Sequence, residues 1–364
     1  MSRVLLDHIT KIYGDKEKKV VAVDDLSLEI PEGTFVGLLG PSGCGKTTTL
    51  RILAGLEKPT KGKVYFDDED VTNWEPKRRN IAMIFQFPVL YPSITVYENI
   101  ALPLKAAKIP ENTVKEKVKE VAEIVGVTQY LNMKPLQLDV ATKQKITLAK
   151  TLIRDPTIFL LDEPLTILDP KSRIVIRTKL KQIQFGLKKS MVYVTHDQTE
   201  ALTLSEKIAI MDKGKVLQYD TPENLYNRPK NIFVGWFIGN PGMNKILCDV
   251  LEEDNKMYLI TDGGFKYDIT FVANELRKFG PLHKIILGIR PEHILVNVRE
   301  GVKAKCIQSE YIGNRVILHV EFYNEILKVR VPEEFAVNPG DFVQIAIPKE
   351  KIVLFDPSTG NLLI

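Results

Sequence analysis

The sequence predicts an α/β domain built on a parallel sheet, followed by a smaller all-β domain. Three observations lead there. Gly40-Pro41-Ser42-Gly43-Cys44-Gly45-Lys46-Thr47 fits the phosphate-binding pattern G-x-x-x-x-G-K-[ST], with an apolar strand before it (34–39) and a helix after it (47–54). Residues 157–161, 190–195 and 207–211 are nearly continuous apolar runs, the pattern of parallel strands covered on both faces. Beyond 231–239 the texture changes to short strands separated by turn signals, as in a small barrel.

In chain order, residues 3–36 alternate like antiparallel strands, at Val4-Leu5-Leu6, Val20-Val21-Ala22-Val23 and Leu26-Ser27-Leu28-Glu29-Ile30. Lys16-Glu17-Lys18-Lys19 reads as a charged hairpin tip between them. Ile81-Ala82-Met83-Ile84-Phe85 leads to Gln86. From about 95 to 127 the pattern is largely helical, with Val114, Val118, Val121, Ala122 and Val125 three to four residues apart, and another helix is expected over about 140–153. The later turns are Asp262-Gly263-Gly264, Ile312-Gly313-Asn314, Pro339-Gly340-Asp341 and Ser358-Thr359-Gly360.

Bulk properties bound the function. A chain of 364 residues suggests two or three domains, and 44% hydrophobic residues suffice for packed cores. A formal net charge of +4 makes no case for a nucleic-acid partner, and none is expected. Cys44, Cys248 and Cys306 show no paired spacing, so neither a disulfide framework nor a zinc site is indicated, and a reducing cytoplasm fits. The N-terminus lacks signal-peptide shape, and runs such as 158–161 are far too short to span a bilayer. Any membrane role is therefore expected to come through partner subunits.

The glycines of the loop let backbone N–H groups close around phosphates, and the following helix adds positive potential. Lys46 is expected to reach the β- and γ-phosphates of ATP, and the Thr47 hydroxyl to ligate Mg²⁺. The run 157–161 ends in Asp162-Glu163, so Asp162 is expected to hold Mg²⁺ through water and Glu163 to orient or deprotonate the attacking water. Taken alone, the acidic pair also fits a solvated strand end. His196, after the run 190–195, fits either a structural polar residue or a γ-phosphate contact, and Gln86 alone fits a surface position.

The order of P-loop, Gln86, a helical segment, Leu160-Leu161-Asp162-Glu163-Pro164, Leu168-Asp169 and His196 resembles an ATP-binding cassette (ABC) ATPase across residues 1–235. That resemblance implies a RecA-like parallel sheet with an antiparallel β subdomain and a helical subdomain at about 90–155. It implies that Tyr13 stacks on adenine and that Gly40 through Thr47, with Thr48, hold the nucleotide. Gln86 would sense Mg²⁺ and water and connect to membrane subunits, Asp169 would cross a dimer interface, and His196 would meet the γ-phosphate. Asp70-Val71-Thr72, Pro76-Lys77-Arg78, Met83-Ile84-Phe85-Gln86 and Leu90-Tyr91-Pro92-Ser93-Ile94-Thr95-Val96-Tyr97-Glu98-Asn99-Ile100 resemble carbohydrate importers of the maltose type. Gly288-Ile289-Arg290-Pro291-Glu292-His293 and Leu354-Phe355-Asp356-Pro357-Ser358-Thr359-Gly360 are similar to that group's C-terminal OB-type (TOBE-like) barrel, expected over 236–364.

The resemblance implies an ATP-hydrolysing subunit of a prokaryotic importer of a sugar or polyol, peripheral on the cytoplasmic face of the membrane. Its implied partners are two transmembrane permease subunits and, through them, an extracytoplasmic solute-binding protein. A permease helix is expected in a groove around Gln86 that includes Phe87, Val89, Leu90 and Tyr91. Importers of polyamines, ferric iron and glycerol derivatives carry similar tails and remain alternatives. A soluble cassette ATPase is a second class, opposed by the near-neutral charge and the barrel tail. A pseudo-enzyme that binds ATP without turnover is a third, opposed by Glu163 and His196.

One segment departs from the family. Where the family signature reads Leu-Ser-Gly-Gly-Gln, this chain has Leu138-Asp139-Val140-Ala141-Thr142. The signature contacts ATP held by the opposite subunit. A carboxylate about 4 Å from a phosphate charge costs on the order of 4 kcal/mol at an effective dielectric constant of about 20. Val140 and Ala141 add bulk where glycine allows close approach. Asp139 is also a good N-cap for the helix that follows. A defective signature beside intact Lys46, Asp162, Glu163 and His196 leads to the expectation of a heterodimer with a second ATPase.

Overall fold

The computed structural model describes residues 3–14 and 18–364; Lys16 and Glu17 of the expected hairpin tip lie outside the described residues. The first unit is organised around β3 (Phe35–Leu39), β6 (Ile81–Ile84), β7 (Ile158–Asp162), β8 (Ser190–Thr195), β9 (Lys207–Asp212) and β10 (Lys215–Asp220). They form one sheet in the order β10-β9-β3-β8-β7-β6, parallel except for β10. β3, β7 and β8 are buried at every residue, which is why their sequences do not alternate. Strand β8 separates β3 from β7. The P-loop after β3 and the acidic pair at the end of β7 therefore flank the end of β8, where His196 follows.

A smaller antiparallel sheet holds β1 (Val4–Tyr13), β2 (Val20–Ile30), β4 (Lys61–Phe66) and β5 (Glu69–Asp70) in the order β2-β1-β4-β5. Sequence reading missed β4 and β5, because only Val64 and Phe66 of β4 are buried and neither strand shows a sustained alternation. Helix α1 (Lys46–Ala54) shares one core with both sheets, a cluster that holds Leu50 and Leu53 with Leu6, Ile9, Val36, Leu160 and Val192.

The helical stretch expected from about 95 to 127 is two helices, α2 (Val96–Ala106) and α3 (Glu111–Val125). Pro110 separates them, since proline disfavours helical backbone in the residue before it. Thr95 and Glu98 form a reciprocal capping box that fixes the start of α2. The apolar faces of α2, α3 and α4 (Val140–Leu152) pack into one cluster with β6, β7 and β8. The first unit continues with α5 (Pro170–Leu187) and α6 (Gln198–Leu204).

The chain divides into compact units between Pro222 and Glu223, upstream of the boundary expected near 235. Helices α7 (Pro222–Asn227) and α8 (Ile232–Phe237) lie at the join, and residues from Glu223 onward belong with the second unit. Arg290, 2% exposed, is one tie, its guanidinium donating to the carbonyls of Tyr226, Gly235 and Ile238; Ile232 N also donates to Gly360 O and Leu362 N to Lys230 O.

The second unit has β11 (Asn244–Glu253), β12 (Lys256–Thr261), β13 (Lys266–Asp268), β14 (Lys284–Ile289), β15 (Leu295–Val296), β16 (Val302–Ile312), β17 (Arg315–Phe322), β18 (Glu325–Pro332), β19 (Phe342–Ala346) and β20 (Ile352–Phe355). These form two five-stranded antiparallel sheets, β13-β12-β11-β14-β20 and β15-β19-β16-β17-β18, around a single apolar core. Asn244 closes the gap between them. Its amide donates to Lys328 O and accepts from Lys328 N, both at 2.8 Å, so a side chain pairs the free edge of β18. The hairpins turn at Asp254-Asn255 and Tyr323-Asn324, each with positive φ at both residues, as type I′ turns require.

Candidate nucleotide site

The P-loop wraps the N-terminus of α1. Gly45 has φ 104°, and a Cβ there would lie 2.4 Å from Ala22 O, so only glycine fits. A cavity of about 280 Å³ opens beside the loop, lined by Ala22, Ser42, Gly43, Gly45, Lys46, Thr47, Thr48, Gln86 and Glu163. Lys46 is 5% exposed, and its Nζ donates to Gly40 O at 2.8 Å and Pro41 O at 2.9 Å. Cys44 is buried behind the loop, where burial pushes its thiol above the usual range and the Lys46 charge opposes that shift. Tyr13 is half-buried on β1 and pairs in register with Val20, two residues from the cavity-lining Ala22.

The acidic pair divides by environment. Asp162 is 5% exposed and accepts a hydrogen bond from Thr47 Oγ1 at 3.1 Å. Burial raises its carboxyl above the ordinary aspartate range, and the Thr47 hydrogen bond offsets part of that rise. Glu163 faces the cavity from a left-handed backbone, φ 45°, with its N–H held by Val194 O at 3.0 Å. Its Oε2 lies 3.2 Å from His196 Nδ1 and accepts from Thr166 Oγ1 at 3.3 Å. The structure thus brings the P-loop, Gln86, Asp162, Glu163 and His196 together.

Residues 138–142 and Asp169 line no part of this cavity. Asp139 caps α4: Oδ1 accepts from Thr142 N at 2.7 Å, and Oδ2 from Thr142 Oγ1 at 3.0 Å. The backbone N–H of Thr142 holds its carboxyl below the usual aspartate range. Val140 is exposed beside it. Asp169 caps α5 in the same way, accepting from Ser172 N at 2.9 Å.

The sequence matches two family patterns, ABC transporter over residues 23–166 and TOBE domain over 287–355. The trehalose/maltose import ATP-binding protein of Thermococcus litoralis is 38% identical over 381 residues, spanning 100% of both chains. The chain belongs to the ABC transporter family. The oligosaccharides import ATP-binding protein of Bacillus subtilis is 38% identical across 99% of each chain, and the sn-glycerol-3-phosphate import ATP-binding protein of Yersinia enterocolitica is 34% identical over 99% of each. Among solved structures, a dimeric ATP-binding cassette in a post-hydrolysis state with ADP and Pi superposes with a TM-score of 0.56 at 33% identity, covering 60% of this chain and 98% of that one. The ABC chain described here is a transport ATPase.

A separate groove of about 430 Å³ lies near Gln86, lined by residues that include Phe85, Val89, Leu102, Pro103, Lys150 and Arg154. Phe87 and Tyr91 are exposed, at 70% and 53%. Of the expected set only Val89 lines this groove; Phe87 and Tyr91 lie outside its lining, and Leu90 packs partly buried against the helical core. Sequence reading also passed over Thr166, which touches Glu163, and Gln144, whose Nε2 donates to Pro164 O at 3.2 Å. Neither carries a motif signal of its own; their roles follow from what lies beside them in space.

Proposed function

We propose that this chain is the ATP-hydrolysing subunit of a prokaryotic importer of a sugar, polyol or glycerol-type solute. It sits peripherally at the cytoplasmic face of the membrane on two permease subunits, which an extracytoplasmic binding protein loads. The observation that carries this reading is one cavity lined by the P-loop, Gln86 and Glu163, with a buried Asp162 bonded to the lining residue Thr47 and His196 set against Glu163. The names of the relatives, importers of trehalose/maltose, oligosaccharides and sn-glycerol-3-phosphate, support the solute class.

Each residue then has a task. The loop N–H groups bind phosphate oxygens, and Lys46 exchanges its carbonyl partners for the β- and γ-phosphates. Tyr13 packs on adenine. Asp162, a buried carboxylate beside a hydroxyl, suits a hard cation, so Thr47 and Asp162 would hold Mg²⁺ with Gln86 nearby. When bound, Mg²⁺ supplies charge neutralisation on the phosphates. Glu163 accepts hydrogen bonds from a water in line with the γ-phosphate, and His196 orients the Glu163 carboxylate.

The signature segment supports a heterodimer. An anionic Asp139 at the position that closes over a neighbour's ATP weakens the neighbour's site, while this chain's own catalytic set needs a competent signature from a second ATPase. Copurification of the subunits, followed by solute-stimulated ATP turnover with maltose, oligosaccharides and glycerol 3-phosphate, tests the whole reading. A soluble protein recovered without permease subunits would overturn it.

A further inference from the structure

We infer that Arg173 is a positioning residue for Glu163, its guanidinium tying together the two loops that grip that carboxylate. The inference rests on the reading of Glu163 as the group that orients the attacking water. Glu163 Oε2 is held from two sides, by Thr166 Oγ1 at 3.3 Å and by His196 Nδ1 at 3.2 Å. Thr166 belongs to the loop before α5, and His196 to the loop before α6. Arg173 stands in the first turns of α5, where it reaches both. Its Nη2 donates to Thr166 O at 3.3 Å and to Leu168 O at 3.2 Å. Its Nη1 lies 3.7 Å from the carboxylate of Asp197, the residue after His196. The contacts close a ring: Glu163, Thr166, Arg173, Asp197, His196 and back to Glu163.

The far side of the ring is anchored in the core. Asp197 caps α6, accepting from Thr199 N at 2.7 Å and Glu200 N at 3.2 Å. Glu200 is 2% exposed and accepts from Tyr193 OH at 2.8 Å and Thr195 Oγ1 at 2.9 Å, so β8 and α6 are locked below His196. Arg173 Nε points toward Glu200 at 3.9 Å, beyond hydrogen-bond distance, and is a buried N–H without an acceptor. The charge pairs with Asp197 and Glu200 tie α5 to the start of α6. The other two nitrogens of the fork explain its presence, because only a planar guanidinium serves two loops at fixed spacing.

The test measures ATP turnover by the full chain in its assembled transporter. Arg173→Lys keeps the charge and loses the fork. We expect kcat to fall about 10-fold or more while KM for ATP changes less than about 3-fold, because the nucleotide itself is not touched. Thr166→Val removes one arm of the ring with little risk to folding, and is expected to shift kcat and not KM. Both substitutions are then placed in a Glu163→Gln background. If Arg173 acts through Glu163, neither lowers the residual turnover further. A full multiplicative loss in that background, a KM rise matching the kcat loss, or wild-type kcat in either single variant overturns the inference. If Glu163→Gln itself leaves turnover intact, the assignment of Glu163 has failed, and this inference with it.

Discussion

At the residue scale, two side chains decide how the site handles charge. Lys46 is nearly buried, with its ammonium met by two carbonyls of its own loop. Carbonyl dipoles satisfy a buried cation less well than phosphate oxygens do, so the loop is arranged to exchange them. Lys46→Ala is expected to abolish tight MgATP binding and solute uptake together, read by equilibrium nucleotide binding and by transport. Asp139 is the opposite case, an anion placed where a neighbour's γ-phosphate is expected. Asp139→Ser keeps an N-cap on α4 and deletes the charge. The expected result is faster hydrolysis in the assembled complex; a rate equal to wild type would show that the charge never meets phosphate.

At the scale of elements, the same aspartate holds up a helix. Its folded pKa lies below its unfolded value, so the cap stabilises the protein above the ordinary aspartate range and loses that effect as pH falls through the folded value. Asp139→Ala should cost about 1 kcal/mol at neutral pH. The gap between wild type and variant should narrow in urea titrations repeated below about pH 3.9, the unperturbed aspartate pKa; a gap independent of pH would mean the carboxylate is not the capping charge. The groove between β6, α2 and α4 is the other element-scale feature. Its exposed Phe85, Val89 and Leu102 leave apolar surface beside Gln86, which faces the nucleotide cavity. Cysteines placed at Phe87 or Val89 are expected to crosslink to a permease subunit in the assembled transporter, and a crosslinking map empty along this run would remove that docking site.

At the scale of the whole molecule, the two units have separate cores and separate failure modes. Burial pushes the Arg290 guanidinium down to about 10, still well above neutral pH, and the carbonyls of Tyr226 and Gly235 accept from it. Arg290→Met leaves those carbonyls unpaired and should destabilise the second unit by on the order of 3 kcal/mol. Nucleotide binding by the first unit should survive, so the check is a lowered unfolding transition with unchanged ATP affinity. Purified alone, the chain is expected to hydrolyse ATP poorly and to gain turnover with a second ATPase of intact signature. Robust cooperative hydrolysis by the pure chain would sink the heterodimer reading.

What the sequence determined by itself is what short-range chemistry encodes. The loop from Gly40 to Thr48 needs glycines where backbone must close on phosphate, and strands covered on both faces read as uninterrupted apolar runs. The cap at Asp139 reaches only three residues along the chain. The glycine turn signals of the second unit are equally local, whereas the turns at Asp254-Asn255 and Tyr323-Asn324 contain no glycine and show only in their positive φ. Tertiary structure decided whatever depends on elements far apart in sequence. β4 emerged as a strand because β1 pairs with it, not because its own residues alternate. Leu90 packs partly buried against a helical core whose other members lie far from it in sequence. The segment after Pro222 is held by partners far along the chain, among them a buried arginine that binds its carbonyls. Thr166, Arg173 and Asp197 carry no motif and acquire meaning only where α5 and α6 start on either side of Glu163. Contact energies between such groups depend on distance in space, and sequence spacing does not report that distance.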